Sequence, residues 1–184
     1  MKKLIIASGL ITALALAAFG TTGGLPVSFA GSWTLDKEKS QGLSQRMQSA
    51  EKITCVITQT DNTISVEWKV EGSQPPAGGA GGGGGMGGGR GPAPPQTYNL
   101  DGKEVTSEAG GQMGGTSTMK ATWSDATKML ELMSVRAGSV NGQDFKATTT
   151  DKMSLSADGK VLTITRHSES PRGTQDSTLV FNKQ

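Results

Sequence analysis

The sequence has 184 residues but only one histidine and one cysteine, and this scarcity limits the chemistry it can carry. Because His167 and Cys55 stand alone, a zinc site of ordinary ligand number cannot be assembled, and we expect no metal site. A single cysteine also excludes an internal disulfide. We expect Cys55 to be a small, buried, apolar side chain.

Groups of catalytic side chains are equally scarce. His167, Ser168 and Glu169 are residue types found in catalytic triads, but neighbours in a strand point to opposite faces and do not converge. We expect His167 to point to solvent. Asp151 is expected to pair with Arg166 or with a hydroxyl inside the fold, because a buried acid needs a partner. The sequence therefore predicts no catalytic residues, no cofactor and no enzymatic activity.

The N-terminal stretch has two lysines followed by an uncharged, mostly apolar run over residues 4–19. This pattern is typical of a secretory signal, and it is too short and too diluted by polar residues for a membrane anchor of about 20 apolar residues. We expect residues 1–20 to be a signal peptide cleaved after Gly20, with Ala30 as the alternative cleavage site. The protein would then be exported, periplasmic or secreted, with no integral membrane span.

Positive and negative charges are equal in number once the expected signal peptide, residues 1–20, is removed. Lys2 and Lys3 belong to the leader, so 16 of the 18 basic residues remain against 16 acidic ones. A neutral domain lacks the clustered positive field that attracts nucleic acids or anionic membranes. We expect residues 21–184 to form one monomeric domain that binds no nucleic acid.

The clearest periodic pattern is the stretch TISVEWKV, in which apolar residues alternate with polar ones as in a half-buried strand. The preceding run alternates in the same way, and Asp61-Asn62 between them suits a tight hairpin turn. The apolar face of this hairpin consists of Ile53, Cys55, Ile57, Ile64, Val66, Trp68 and Val70.

The rest of the chain continues this pattern, with one helical turn or two near Leu43 and Met47. The predicted strands are 27–35, 51–60, 63–71, 96–100, 103–107, 116–124, 128–136, 143–156, 160–168 and 174–182. Connections after even strands are short, whereas those after odd strands are longer: 36–50, 72–95, 108–115, 137–142 and 169–173. In a meander this pattern gives a closed base and a loop-rimmed mouth. It predicts an all-β, antiparallel up-and-down barrel of about eight to ten strands.

Residues 72–95 are rich in glycine and proline. They lack the Gly-Lys-Ser or Gly-Lys-Thr of a phosphate-binding loop, and no helix follows to meet a pyrophosphate. Because this segment lies between two strands of one predicted barrel, we expect a flexible rim loop rather than a domain linker.

The first predicted strand contains Gly31, Ser32 and Trp33, which resemble the G-x-W signature of lipocalins and related calycin barrels. The stretch GSWTLDKEKS is similar to the opening of small exported bacterial lipocalin-like proteins, whose role is generally unassigned. The resemblance implies that Trp33 closes the barrel base under an arginine from a late strand. Arg166 is the candidate, since it shares a face with Leu162 and Ile164.

Two functions remain open. The first is binding of a small hydrophobic or amphipathic molecule inside the barrel. Its predicted ligand-binding residues are Ile53, Ile57, Ile64, Val66, Trp68 and Val70. The alternative is a non-catalytic cell-envelope or secreted interaction module whose barrel is filled by side chains. The volume of the interior distinguishes them.

Overall fold

The computed structural model describes residues 25–72, 94–108, 115–140 and 142–184. The signal peptide expected over 1–20 lies outside the described residues, and so does most of the glycine-rich loop expected over 72–95. The description below concerns the remaining chain.

The described residues form ten strands and one short helix. The strands are β1 (Gly31–Leu35), β2 (Lys52–Gln59), β3 (Thr63–Glu71), β4 (Gln96–Asn99), β5 (Val105–Glu108), β6 (Thr116–Ser124), β7 (Met129–Val140), β8 (Gln143–Leu155), β9 (Val161–Ser170) and β10 (Gly173–Lys183). The helix α1 (Gln45–Ser49) lies between β1 and β2, where the helical turn was predicted.

All ten strands belong to one antiparallel sheet in the order β4-β3-β2-β1-β10-β9-β8-β7-β6-β5. Neighbours in the chain are neighbours in the sheet, except that β1 also pairs with β10 and that β4 does not pair with β5. The sheet curls into a nearly closed up-and-down barrel, which confirms the predicted fold class. We call the end with the β2–β3 and β6–β7 turns the base, and the opposite end the mouth.

The fourth and fifth strands, predicted as neighbours in a meander, do not pair with each other. β4 pairs with the base half of β3, where Val66 lies opposite Gln96. β5 pairs with the mouth half of β6, where Glu108 lies opposite Thr116. The two strands are therefore offset along the barrel, so their backbones do not meet in a ladder. The segment between them is held instead by the N–H of Leu100, which donates to the carbonyl of Asn62 at 2.8 Å.

Two connections at the mouth are also shorter than the sequence predicted. β7 and β8 are joined by residues 141–142, and β9 and β10 by residues 171–172. Residues 137–142 were predicted to be a loop, yet Gly138 lies within the ladder opposite Phe145. Gly142, with φ of 78°, provides the turn.

The first predicted strand is shorter than expected, and the residues before it close the base. Residues 27–30 lie outside β1, and Phe29 is fully buried. Its N–H donates to Oε1 of Gln59 at 2.8 Å, and its carbonyl accepts a hydrogen bond from Nε1 of Trp33 at 3.0 Å. The ring of Phe29 also packs edge-on against Trp123, with centroids 6.5 Å apart.

One apolar cluster fills the base half of the interior. Its fully buried members include Phe29, Trp33, Ile64, Leu130, Met153, Leu162, Leu179 and Phe181. At the mouth end, helix α1 and the residue after it add Met47 and Ala50 to the same cluster, over β1 and β2. The helix begins at Ser44, whose hydroxyl accepts the N–H of Met47 at 3.4 Å. The base is thus packed, and one side of the mouth is covered.

We expect Trp33→Ala to destabilise the protein far more than Trp123→Ala. Trp33 is fully buried, and truncating a core aromatic costs about 3–5 kcal/mol. Trp123 is only partly buried and its Nε1 donates to Asp125 at the surface, so its loss should cost less. Chemical denaturation of the two variants and the parent measures this difference. Small and equal effects would contradict a base built around Trp33.

Candidate functional site

The six residues predicted to bind a ligand all lie on the inward face of β2 and β3. Ile53, Ile57, Ile64 and Val66 are at most 5% exposed and belong to the apolar core. Trp68 and Val70, nearer the mouth, are half-buried and pack against that core. Four of the six are therefore already covered by protein side chains, whereas the last two retain exposed surface. Ligand binding by this wall stays a prediction.

A charged pair lies inside the barrel between β8 and β9, where register places Asp151 opposite Arg166. Nε of Arg166 donates to Oδ1 of Asp151 at 2.7 Å, and Nη2 donates to Oδ2 at 2.6 Å. Such a two-pronged contact is the strongest common geometry for an arginine and a carboxylate. The pairing expected for Asp151 from the sequence is confirmed.

The guanidinium of Arg166 lies over the ring of Trp68, with Cζ 4.9 Å from the ring centroid. Trp68 in turn meets Phe181 edge-on, with centroids 5.6 Å apart. A cation over an indole face is attracted by the ring quadrupole. These contacts hold Arg166, on β9, against β3 on the other side of the interior.

The prediction that Arg166 covers Trp33 at the barrel base is therefore wrong. The cation over Trp33 is Lys183, whose Nζ lies 5.3 Å from the ring centroid. The reason is register, because β1 pairs with β10 and places Lys183 directly opposite Trp33. Gly31 fits this base, since its φ of 143° favours glycine and an added Cβ would lie 3.3 Å from Cε of Lys183.

Tyr98, on β4, is a member of the interior cluster that the sequence analysis missed. Its hydroxyl donates to Oε1 of Gln96 at 3.1 Å. Burial, and then the charge of Asp151, raise the pKa of Tyr98 well above its usual value of 10. The phenol is therefore a neutral hydrogen-bonding group. The only sequence signal was an aromatic residue in a short strand.

A row of hydroxyl groups crosses β7, β8 and β9 on the inward face, one step nearer the mouth than the Arg166–Asp151 pair. Register aligns Ser134 with Thr149 and Thr149 with Ser168. All three side chains are half-buried, and the hydroxyls of Thr149 and Ser168 are 3.4 Å apart. On each of these strands, the inward-facing residues are apolar near the base and become Ser or Thr nearer the mouth. This change along one face is the signal in the sequence.

Solvent reaches the charged pair even though it lies in the interior. The side chain of Arg166 is 12% exposed and that of Asp151 is 13% exposed. A guanidinium has five N–H donors, and Asp151 takes two of them. Within the described part of the chain Arg166 forms no other hydrogen bond, and its nitrogen atoms are not among the fully buried unsatisfied groups. Three of its N–H donors are therefore not used by Asp151.

His167 lies outside the barrel, as predicted. Its Nδ1 is 2.6 Å from Asp176 and its Nε2 is 3.2 Å from Glu169, while 46% of the side chain is exposed. Ser168 is on the opposite, inward face, so these residues form no triad. The two carboxylates contact opposite ring nitrogens and do not converge on one point. Among the described residues, no three His, Cys, Asp or Glu side chains are arranged to hold a metal ion.

Two open depressions lie at the mouth, outside the interior. One, of about 390 Å³, lies beside helix α1 and is lined by Lys37, Ser40, Gly42, Leu43 and Gln48. The other, of about 430 Å³, lies at the mouth ends of β8 and β9 and is lined mainly by polar and charged residues. Neither contains a residue of the Arg166–Asp151 cluster.

Comparison of the chain with protein families finds no match, and comparison with curated proteins finds none either. The strand order is compatible with a calycin-like barrel, the fold that the G-x-W resemblance implies. In the part of the chain that the structure describes, no helix is long and apolar enough to cross a membrane.

We expect the thiol of Cys55 to be inert in the native protein. Burial raises its pKa to about 12, so the reactive thiolate is scarce at neutral pH. A disulfide reagent such as 5,5′-dithiobis(2-nitrobenzoate) should label the unfolded protein fully and the native protein only through unfolding. Because Cys55 is the only cysteine, the signal needs no assignment. Rapid labelling under native conditions would contradict the packing around β2.

We expect His167 to make stability depend on pH above 6.5. Hydrogen bonds that the ring donates to Asp176, and then to Glu169, raise its pKa above the ordinary value of 6.5. The imidazolium therefore stabilises the fold fully below pH 6.5, and this contribution is lost as pH rises through the raised pKa. Melting temperatures of the parent and His167→Gln should differ at pH 5.5 and converge at high pH. A constant difference across this range would contradict the assignment.

Proposed function

We propose that the protein is a non-catalytic, exported barrel that binds a small amphipathic molecule in the mouth-side half of its interior. The supporting observation is the exposure of the Arg166–Asp151 pair, 12% and 13%, at an inward-facing position. A charged pair sealed in a packed core would have no such exposure. In this proposal the ligand reaches the pair at its exposed part, and the unused donors of Arg166 provide a polar contact for it.

The apolar contact in this proposal comes from β3. Trp68 and Val70 are half-buried, and both lie on the inward face beside the charged pair. A molecule that covers them and also accepts a hydrogen bond from Arg166 must have both apolar and polar parts. Ile53, Ile57, Ile64 and Val66 then support the site as core residues below it. The proposed site is thus narrower than the wall predicted from the sequence.

The proposal includes the cellular context that the sequence suggests. The basic and apolar pattern of residues 1–20 supports export to the periplasm or the medium. The neutral charge of the remaining chain supports a small-molecule partner rather than a nucleic acid. We propose a monomeric protein without a cofactor.

A second candidate function is supported by the packing of the base. A barrel of this size can be filled by its own side chains, and the cluster from Phe29 to Phe181 fills the lower half. If the mouth half is also closed to ligands, the protein is an interaction module that contacts its partner through the surface.

We expect amphipathic ligands to quench the fluorescence of Trp68. Native mass spectrometry of protein purified without detergent shows any molecule that co-purifies, and titration with dodecanoate or dodecylamine tests binding directly. The Trp68→Phe variant should lose the quenching, whereas Trp123→Phe, altered at the base, should keep it.

The polar half of the site is tested by the double variant Asp151→Asn/Arg166→Gln, which removes both charges and keeps a polar side chain at each position. Breaking only one partner would leave an unpaired buried charge and cost about 3–5 kcal/mol of stability. We expect the folded double variant to bind the same ligands at least about tenfold more weakly, as for loss of hydrogen bonds to a charged group. No co-purifying mass and no quenching in the parent would favour the interaction module.

A further inference from the structure

The accessible half of the interior has two chemically different sides. On β3, Trp68 and Val70 present apolar surface. On β7, β8 and β9, the facing positions carry the hydroxyls of Ser134, Thr149 and Ser168 in one register row. Arg166 lies between the two sides, because it belongs to β9 and packs on Trp68. The apolar groups therefore lie on one side of the interior and the hydroxyl groups on the other, and both sets are half-buried.

This separation of apolar and hydroxyl groups favours ligands of a particular shape. A flexible chain with one polar end needs apolar walls all around its tail. Beside such a tail, the hydroxyls of Ser134, Thr149 and Ser168 would have no partner among the described residues beyond the contact between Thr149 and Ser168, so most of their hydrogen-bonding capacity would be unused. A rigid molecule with an apolar face and a hydroxylated face satisfies both sides at once. Its apolar face covers Trp68 and Val70, its hydroxyls meet Ser134, Thr149 and Ser168, and an acidic or carbonyl group accepts from Arg166.

We propose that the ligand class is the rigid facial amphiphile, a fused-ring molecule with hydroxyl groups on one face and a hydrogen-bond acceptor at one end. This inference rests on the proposed function, since it requires an interior open to ligands. It adds the requirement that polar groups lie along one face of the ligand rather than only at its end.

Three probes of defined shape test this inference with the full chain lacking its leader. Cholate and lithocholate share the ring system and the carboxylate, but cholate has three hydroxyls on one face and lithocholate has one. Dodecanoate has a carboxylate on a flexible chain. All are titrated below their micellar concentrations, with Trp68 fluorescence and calorimetry as readouts. We expect cholate to bind at least about fivefold more tightly than lithocholate, the effect of one or two net hydrogen bonds.

The chain offers a matched pair of variants on β8. Thr149→Val removes an inward hydroxyl with little change in shape, whereas Thr148→Val makes the same change on the outward face of the same strand. We expect Thr149→Val to weaken cholate about fivefold and to leave lithocholate within about twofold. Thr148→Val should change neither, and Thr149→Ser should restore cholate binding. If Thr149→Val does not fold, Ser168→Ala provides the same comparison.

Each result has a distinct meaning. Lithocholate or dodecanoate binding as tightly as cholate, or no difference between the Thr149 and Thr148 variants, overturns the facial-amphiphile inference. In that case Arg166-dependent binding of dodecanoate still supports the proposed function. Failure of all three probes overturns the inference, and absence of co-purifying molecules then removes the proposed function as well.

Discussion

The barrel depends on the short ladder between its first and last strands. β1 and β10 pair only over Trp33–Leu35 and Phe181–Lys183, yet this ladder joins β1–β4 to β5–β10 in one sheet. Contacts beyond the ladder extend it: the N–H of Asp36 donates to Val180, and Gln41 and Thr178 exchange two backbone hydrogen bonds. Within the described residues no ladder joins β4 and β5, so the β1–β10 ladder is what joins the two meanders in one sheet.

The interior cluster connects the same two meanders from inside. Arg166, from the second meander, is paired with Asp151 and packs on Trp68 of the first. These polar contacts lie just above the packed base, where the apolar core ends. The same side chains therefore have two roles in our account, because they hold the halves together and also border the accessible space. A buried charged pair adds little net stability compared with apolar packing, so its presence calls for a further explanation such as ligand contact.

Local patterns in the sequence predicted those features that depend on local geometry. β3 and β6 were predicted to the residue because alternation of side chains is a property of the strand itself. The partner of Asp151 followed from the cost of burying a lone acid. The cation over Trp33 did not follow, because it depends on which residue β10 places opposite β1, and local patterns carry no signal for that register. The offset of β4 and β5 and the position of Tyr98 were missed for the same reason.

The position of the closing ladder has a consequence for biosynthesis. Residues 181–183 must reach β1, about 150 positions earlier in the chain, before the barrel can form, and such distant contacts make folding slow. Gln184 adds to this join, since its N–H donates to the carbonyl of Ser32 at 2.9 Å. While residues 181–183 have yet to be synthesised, the chain can form separate hairpins but has no ladder that joins β1 to β10.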